Sequence, residues 1–471
     1  MSKINPKIFL AYDIRGIYPN DFNEDAAYQI GCAFVDFLSK ELHIENSKLK
    51  IVIGRDCRLS APKIFKSFSQ GVISQGANVI DIGQVATDSL YFALHYFKTD
   101  ASVMITASHN PPEYIGIKMM AKGPRYLSGD WGIPQIKELA LKGQFSAQGR
   151  STSDGSRAKH QGKIIKKDII PHYLKYILNL IDLKKIKSLK VVVDAANGVG
   201  GEMIKEISKK IPVKLIPLYF TPDGNFPNHL SDPLIAANLK KLQETVLEKK
   251  ADFGLALDGD GDRTIFVDEK GKIISSDMII ALFANYYLKK EQKSKIVYNL
   301  TCSKSVPEVV KENNGIPIRT RTGHAFMKVA AKENNAIFGG EISGHLYFRD
   351  LFFAESGGLT LMVMLKILSE SNQTLSELIK KFQRYYRIGE VNFKVENRQK
   401  VIQKIKDAYK DGQQDNLDGL TVDYWDSSAT SWWLNVRPSN TEPLLRVVVE
   451  AKDKEKAEFE FKKISQIIKF S

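Results

Sequence analysis

The stretch KVVVDAANGVGGEMIKEISKKIPVKLIPLY, residues 190–219, decides the fold class. It begins with an apolar, β-branched strand, passes through a polar loop and a helical stretch, and ends in a second apolar strand. The same order recurs in KIVIGRDCRLSAPKIFKSFSQGVISQGANVIDIG, residues 50–83, and in KIVYNLTCSKSVPEVVKENNGIPIRTRTG, residues 295–323. Each segment predicts a βαβ unit, and this alternation predicts mainly parallel sheets with helices on both faces.

The C-terminal part of the chain has a different order. It contains helix-like QKVIQKIKDAY, then strand-like LTVDYW, SWWLNVR and LLRVVVEA, and finally a helical stretch. Strands grouped between helices are typical of an α+β domain. We therefore expect an α/β protein with three related mixed or parallel-sheet domains and a C-terminal α+β domain.

Changes in composition indicate the domain limits. The polar stretch at residues 146–163 has the composition of a linker, DEKGK at residues 268–272 marks a second limit, and a third follows the helical LSELIKKFQRY. The 471 residues suffice for three or four domains of ordinary size. The predicted domains are residues 1–160, 161–270, 271–386 and 387–471.

Composition and charge exclude several classes of protein. The longest apolar stretches, around Met278–Ala284 and Leu359–Leu365, are far shorter than the roughly 20 residues that span a bilayer. The chain also starts without a signal-like apolar segment, so we expect a cytoplasmic protein without a membrane partner. The formal net charge of +14 comes largely from lysines beside acids in helix-like stretches, a pattern typical of a solvated surface.

Two further site classes are disfavoured. No zinc finger, RNP signature or long basic run occurs, so no nucleic-acid partner is expected. Cys32, Cys57 and Cys302 are far apart and odd in number, which favours structural thiols over a disulfide framework or a metal knuckle.

The segment ITASHNPPEYIGIK, residues 105–118, is the first candidate for chemistry. Its two prolines restrict the backbone of a loop rich in polar side chains, as a positioned reactive group requires. Ser108 could be a nucleophile or phosphoryl carrier, with His109 and Lys118 as proton-transfer or phosphate-contacting groups. A proline-rich turn without chemistry is the alternative. A serine hydrolase is disfavoured because the G-x-S-x-G elbow is missing.

The segment FGLALDGDGDRTIFVDEKG predicts a metal site. Asp258, Asp260 and Asp262 alternate with glycines between two apolar strands, and such closely spaced carboxylates repel one another unless a hard cation lies among them. An EF-hand loop is excluded because Arg263 stands where that loop needs glycine and because the flanks are strand-like. Mg²⁺ with open positions for a phosphate fits better, and a solvated acidic turn without a cation is the alternative.

Two more segments are candidate binding loops. FGGEISGH, residues 338–345, offers Glu341 and Ser343 to sugar hydroxyls, although a glycine-rich turn would look similar. NVRPSNTEP, residues 435–443, combines a guanidinium with hydroxyl and amide groups as a phosphate site would, and a capped turn is its alternative. Neither a P-loop nor a complete dinucleotide fingerprint occurs.

Together the segments resemble the α-D-phosphohexomutase superfamily. Its marks are TASHNP, DGDGDR, GE-x-SGH and an R-x-S-x-T-x-P loop, and all four occur here in family order, along with YDIRG and GRDCRLS near the start. The resemblance implies four domains around a central cleft. It also implies transfer of phosphate between C1 and C6 of a hexose phosphate, through a phosphoserine and a 1,6-bisphosphate.

The resemblance assigns a role to each candidate residue. The catalytic group would be Ser108, His109, Lys118, Arg15 and Arg263. Mg²⁺ would be held by Ser108 (as phosphoserine), Asp258, Asp260 and Asp262. The substrate would be bound by Tyr12, His324, Glu341 and Ser343, and its distal phosphate by Arg437, Ser439, Asn440 and Thr441. Glucose 1,6-bisphosphate or mannose 1,6-bisphosphate would be the activator.

GEISGH is closest to the phosphomannomutase/phosphoglucomutase branch, which favours mannose and glucose phosphates. A phosphoglucosamine mutase is the alternative enzyme, and a non-catalytic phosphosugar-binding protein is the alternative from another class. Ile115, Thr301 and Asp88 depart from the family pattern, so substrate preference could differ. Monomer and homodimer are equally compatible with the sequence.

Overall fold

A computed structural model describes residues 4–123, 125–145, 161–426, 431–439 and 444–470. The chain divides into two compact units, which we call the first and second units. The first unit comprises Met1–Ser275 and Ser343–Ser376, and the second comprises Ser276–Ile342 and Glu377–Ser471. Within the described ranges, no helix combines the length and apolar character needed to cross a membrane.

The first unit begins with a mixed sheet. Its strands are β1 (Ile14–Ile17), β2 (Lys50–Arg55), β3 (Asn78–Gln84), β4 (Ala101–Ile105), β5 (Tyr114–Ala121), β6 (Arg125–Tyr126) and β7 (Ile164–Lys166). Its helices are α1 (Glu24–Leu42), α2 (Ala61–Ser74), α3 (Thr87–Tyr96) and α4 (Ile133–Lys142). The strand order is β1-β5-β4-β2-β3-β7, with β6 beside β5. The predicted βαβ unit at residues 50–83 is β2–α2–β3, with its strands parallel.

A second sheet of the first unit follows. Its strands are β8 (Lys190–Asp194), β9 (Lys214–Leu218), β10 (Phe253–Leu257), β11 (Thr264–Asp268) and β12 (Ile273–Ile274), and the helices are α5 (Ile170–Leu178), α6 (Gly200–Ser208) and α7 (Lys240–Lys249). The order is β12-β11-β10-β8-β9. Strand β8 is parallel to both neighbours, whereas β10 and β11 form an antiparallel pair around the DGDGDR loop.

The second unit starts with another parallel arrangement. Its elements are α8 (Ser276–Lys290), β13 (Lys295–Asn299), α9 (Ser305–Glu312), β14 (Ile316–Thr320), α10 (His324–Glu333) and β15 (Phe338–Gly340). Strand β13 is parallel to β14 and to β15. The third predicted βαβ unit is therefore β13–α9–β14.

The chain then returns to the first unit. Here β16 (Leu346–Phe348) pairs antiparallel with β17 (Ala354–Glu355), and the apolar helix α11 (Gly357–Glu370) follows. Ser356 caps this helix, because its Oγ accepts a hydrogen bond from the Leu359 amide at 3.0 Å. Helix α12 (Leu375–Lys380) begins at the end of this segment.

The C-terminal part of the second unit is an antiparallel sheet with two helices. It contains β18 (Tyr386–Lys394), α13 (Arg398–Ala408), β19 (Gln413–Asp415), β20 (Leu420–Asp423), β21 (Trp432–Pro438), β22 (Leu444–Ala451) and α14 (Lys454–Lys469). Its order is β18-β22-β21-β20-β19. The predicted fold class, three α/β domains and a C-terminal α+β domain, is thus confirmed, while the domain limits stay a prediction. All three cysteines are free.

Candidate active site

The serine loop joins β4 to β5. Ser108 has a positive φ of 52°, a conformation that costs a non-glycine residue roughly 1–2 kcal/mol. Its amide donates to Thr106 Oγ1 at 2.8 Å, and only 2% of the residue is exposed. The surrounding contacts must therefore impose this backbone conformation.

Arg58 supplies the main contacts to the backbone of the serine loop. Its Nη2 donates to the carbonyl oxygens of Ser108 at 2.8 Å and Asn110 at 2.6 Å, and its Nη1 to those of Pro111 at 2.6 Å and Tyr114 at 3.0 Å. Asp56 balances the charge, with Oδ2 3.2 Å from Arg58 Nε. Sequence reasoning noted the GRDCRLS motif but missed this role, because the contacts lie about fifty positions away in the chain.

The hydroxyl of Ser108 points at the DGDGDR loop, residues 258–263, which we call the metal loop. Its Oγ donates to Asp258 Oδ2 at 2.7 Å and lies 3.2 Å from His109 Nδ1. The predicted nucleophile and the first predicted metal ligand are therefore in direct contact, although 150 positions separate them.

The three aspartates of the metal loop converge. A carboxylate oxygen from each of Asp258, Asp260 and Asp262 lies within 4.8 Å of the others, and all three residues are buried. Asp258 Oδ1 accepts the amides of Asp262 at 3.1 Å and Arg263 at 3.2 Å, which closes the loop into a tight turn. Burial, followed by the charges of Asp260 and Asp262, raises the pKa of Asp258 well above its usual range.

Lys118 lies among these carboxylates. Its Nζ donates to Asp260 Oδ2 at 2.7 Å and to Asp262 Oδ2 at 2.6 Å. Burial alone would lower the pKa of Lys118, but the three aspartates outweigh it and raise the pKa, so the side chain is an ammonium. Burial would likewise raise the pKa of Asp262, but Lys118 and His345 hold it well below its usual range.

The donor set fits a divalent cation. Asp260 Oδ1 is buried and has no hydrogen-bond partner within the described part of the chain. Buried carboxylate oxygens converging on one point are the hard ligands that Mg²⁺ prefers, and an unsatisfied one is costly without a cation. The three aspartates therefore suit Mg²⁺.

Two predicted arginines flank the cluster. Arg15 Nη1 donates to the Ala107 carbonyl at 3.0 Å and to the Asn110 side chain, which places Arg15 against the serine loop. Arg263 Nε lies 3.9 Å from Asp258 Oδ2. Burial, followed by the charges of Arg263 and Arg15, lowers the pKa of His109 well below its usual range, so its imidazole is neutral at pH 7.

Ser343 reaches the cluster through His345, which the sequence analysis quoted in its motif without assigning a role. His345 Nδ1 lies 2.8 Å from Ser343 Oγ, and its Nε2 lies 3.3 Å from Asp262 Oδ1. Tyr12 is half-buried in the bend that precedes β1. The first unit thus brings together the catalytic and metal residues, along with Ser343.

The second unit joins two other predicted residues. Glu341 Oε1 accepts the Gly323 amide at 2.7 Å, immediately before His324 at the start of α10. Asn299 Oδ1 accepts the Ile342 amide at 3.0 Å and so holds the same loop from β13. Glu341 therefore lies beside the start of the helix that His324 begins, and their predicted sugar-binding role stays a prediction.

The predicted phosphate loop lies at the end of β21. Arg437 is 4% exposed and its Nη2 donates to Glu390 Oε2 at 2.5 Å. Ser439 Oγ accepts from Arg446 Nη2 at 3.3 Å, and its carbonyl accepts from Arg398 Nη1 at 3.1 Å. Asn440 and Thr441 lie outside the described residues. Sequence reasoning missed Arg446 and Arg398, which add positive charge beside the loop.

Comparison with known families shows which family the chain resembles along its length. Four family models match the chain, described as phosphoglucomutase/phosphomannomutase α/β/α domains I, II and III and C-terminal domain, over residues 6–146, 171–271, 275–385 and 390–466. The chain belongs to the phosphoglucomutase/phosphomannomutase family. The resemblance that the sequence motifs indicated is therefore confirmed.

Individual members of the phosphoglucomutase/phosphomannomutase family are similar over nearly the whole chain. A phosphomannomutase of Methanocaldococcus jannaschii is 37% identical, covering 98% of this chain and 97% of its own. A phosphomannomutase of Vibrio cholerae is 35% identical, covering 94% of each chain. A crystal structure of a phosphoglucomutase/phosphomannomutase family protein from Burkholderia thailandensis superposes with a TM-score of 0.87 at 30% identity, over 99% of this chain and 98% of the other. The predicted enzyme class, a mutase of this family, is confirmed by this membership.

Proposed function

We propose that the protein reversibly moves phosphate between C1 and C6 of hexose phosphates through phosphorylated Ser108. The bond between the phosphoryl group and Ser108 Oγ breaks as the group bonds to the free hydroxyl oxygen of a hexose 1- or 6-phosphate; that hydroxyl loses its proton, Ser108 Oγ gains one, and a 1,6-bisphosphate results. The bond between the sugar and the other phosphoryl group then breaks as that group bonds to Ser108 Oγ; the serine hydroxyl loses its proton and the freed sugar oxygen gains one. Phosphate is neither gained nor lost.

One observation carries this proposal: the 2.7 Å contact between Ser108 Oγ and Asp258 Oδ2 inside a buried carboxylate cluster. A phosphosugar-binding protein would have no need for a serine hydroxyl held against three metal-binding carboxylates. Phosphoryl transfer needs this combination, because its transition state is stabilised mainly by positioning and by positive charge.

Asp258, Asp260 and Asp262, together with an oxygen of phosphorylated Ser108, would hold Mg²⁺. When bound, Mg²⁺ supplies positive charge that neutralises the transferring phosphoryl oxygens. Arg15 and Arg263, which flank the same cluster, would bind the remaining phosphate oxygens as planar guanidinium donors.

His109 and Lys118 would differ in how they handle protons. His109 Nδ1 lies 3.2 Å from Ser108 Oγ, close enough to exchange a proton with a reacting oxygen there. Lys118 is held as an ammonium by two carboxylates, so in this arrangement it contributes positive charge. We therefore assign proton acceptance to His109 and phosphate or hydroxyl positioning to Lys118.

The remaining residues would bind the substrate. Tyr12, His324, Glu341 and Ser343 would contact the sugar, and the loop of Arg437, Ser439, Asn440 and Thr441 would hold the distal phosphate. Arg446 and Arg398 strengthen that assignment, because both lie against Ser439. We propose mannose and glucose phosphates as substrates, with a hexose 1,6-bisphosphate as activator.

The test is ³¹P NMR with Mg²⁺ and a trace of glucose 1,6-bisphosphate. Mannose 1-phosphate, glucose 1-phosphate and glucosamine 1-phosphate are supplied separately, and the 6-phosphate resonance is followed. Ser108→Ala should abolish conversion, whereas Ser208→Ala, which removes a hydroxyl bonded only to a helix carbonyl in the described structure, should leave it unchanged. Dominant conversion of glucosamine 1-phosphate would favour a phosphoglucosamine mutase. Phosphosugar binding without conversion in the parent protein would overturn the proposal.

A further inference from the structure

The first turn of α3 contacts the metal loop directly. The Thr87 amide donates to the Asp260 carbonyl at 3.0 Å, and Thr87 Oγ1 donates to Asp260 Oδ2 at 2.7 Å. Lys118 Nζ donates to the same carboxylate oxygen. Both side-chain donors therefore occupy Oδ2, and the buried Oδ1 is the oxygen of Asp260 without a hydrogen bond among the described residues.

The neighbouring residue anchors this turn. Asp88 is 2% exposed, and its Oδ2 accepts from Tyr173 Oη at 2.8 Å and from Ser356 Oγ at 2.7 Å. Its Oδ1 accepts from the Ser89 amide at 2.7 Å. Tyr173 belongs to α5 and Ser356 caps α11, so Asp88 ties α3 to two other helices of the first unit.

We infer that Thr87 and Asp88 are positioning residues for the divalent cation. Thr87 orients the Asp260 carboxylate so that Oδ1 stays available to the cation, and Asp88 fixes the helix turn that carries Thr87. This inference rests on the proposed function, since it concerns the same Mg²⁺. The proposed function assigns neither residue a contact with the substrate or the transferred phosphoryl group.

Partners that orient metal-binding side chains have measurable effects on affinity. Removing one typically weakens metal binding about 10- to 100-fold. Thr87 is completely buried, and its hydrogen bond to Asp260 is short. If the hydroxyl is removed, a water molecule can take its place only after neighbouring atoms move. Asp88 acts only through the helix turn that carries Thr87. We therefore expect its substitution to weaken cation binding by a smaller factor.

The experiment measures Mn²⁺ affinity of the full chain by isothermal titration calorimetry, with no sugar present. The variants are Thr87→Val, which removes the hydroxyl at nearly constant shape, Thr87→Ser, which keeps it, and Asp88→Asn. Tyr176→Phe is the matched control, because Tyr176 lies in the same helix as Tyr173 but donates to the Asp350 carbonyl. Urea unfolding of each variant checks that the fold persists, and Thr87→Ala replaces Thr87→Val if that variant does not fold.

We expect Thr87→Val to raise the Mn²⁺ dissociation constant about tenfold and Asp88→Asn to raise it less. The dissociation constants of Thr87→Ser and Tyr176→Phe should stay near the parent value. Unchanged affinity in Thr87→Val would overturn the inference, and unchanged affinity in Asp88→Asn alone would remove Asp88 from it. If the parent chain binds no Mn²⁺ at all, the proposed metal site fails and the inference with it. Failure of the proposed metal site can be told apart from failure of the inference alone, because the first appears in the parent chain and the second only in the variants.

Discussion

At the residue scale, the reactive serine depends on a side chain outside its own loop. The positive φ of Ser108 is unfavourable in isolation, and Arg58 holds the four surrounding carbonyl oxygens. Burial lowers the pKa of this guanidinium, with Asp56 opposing the shift as its counter-ion, and a guanidinium remains charged in proteins. Arg58 therefore neutralises the dipoles of the loop and sets its shape at the same time.

This arrangement predicts a large effect of Arg58→Met. The substitution leaves four carbonyl oxygens without their donor and Asp56 buried without a cation, which should lower the free energy of unfolding by about 3–5 kcal/mol and abolish mutase activity. Urea unfolding and the ³¹P assay measure both effects. Arg125→Met is the control, since its side chain is 55% exposed, and it should cost less than about 1 kcal/mol. A similarly small loss for Arg58→Met would contradict the role of Arg58.

At the scale of elements, two loops pack backbone to backbone beneath the metal site. The ANGVGG loop follows β8 and the DGDGDR loop follows β10, and these parallel strands end at the same edge of the sheet. A Cβ at Gly198 would lie only 2.5 Å from the Gly259 carbonyl oxygen. The absence of a side chain at Gly198 therefore allows the two loops to approach closely.

Gly198→Ala should therefore displace Gly259, which stands between two metal-binding aspartates. We expect Mn²⁺ affinity to fall about tenfold and the free energy of unfolding to fall by about 1–3 kcal/mol, because the clash is with backbone. Calorimetry and urea unfolding measure these changes. Gly389→Ala serves as the control, because a Cβ there meets no atom of the described structure within 4 Å. Equal effects in the two variants would show that the packing of these loops does not position the aspartates.

At the scale of the whole molecule, the residues predicted to bind the cation belong to one unit. All three aspartates lie in the first unit, and the raised pKa of Asp258 means that its ionised form destabilises the metal-free fold at pH 7. A bound cation removes that repulsion, and binding to the folded state alone stabilises it by about 2.7 kcal/mol at one hundred times the dissociation constant.

Differential scanning calorimetry should show Mg²⁺ raising the unfolding midpoint of the parent protein and chelation reversing the shift. Asp258→Asn should unfold at or above the metal-free parent, because Asn keeps an acceptor for the two loop amides without the buried charge. The same variant should lose the Mg²⁺ shift and mutase activity. A full Mg²⁺ shift in Asp258→Asn would place the stabilising cation elsewhere.

The amino-acid sequence alone was enough to predict the fold class, and it indicated which segments are candidates for chemistry. Strand–helix–strand periodicity is local, so each βαβ unit could be predicted from the order of apolar and polar residues. The spacing of the three aspartates likewise indicated a cation before any contact was known. These features depend on residues close together in the chain.

Which distant residues contact those candidate segments could be seen only in the folded chain. Arg58 reaches the serine loop, Thr87 and Lys118 reach Asp260, and Asp88 joins three helices, across separations that local patterns do not encode. In the sequence Asp88 stood out only as a departure from the family pattern, and its hydroxyl partners Tyr173 and Ser356 became visible only in the fold. The physical reason is that hydrogen bonds and charges act over a few ångströms of space, and folding alone determines which side chains lie within that distance.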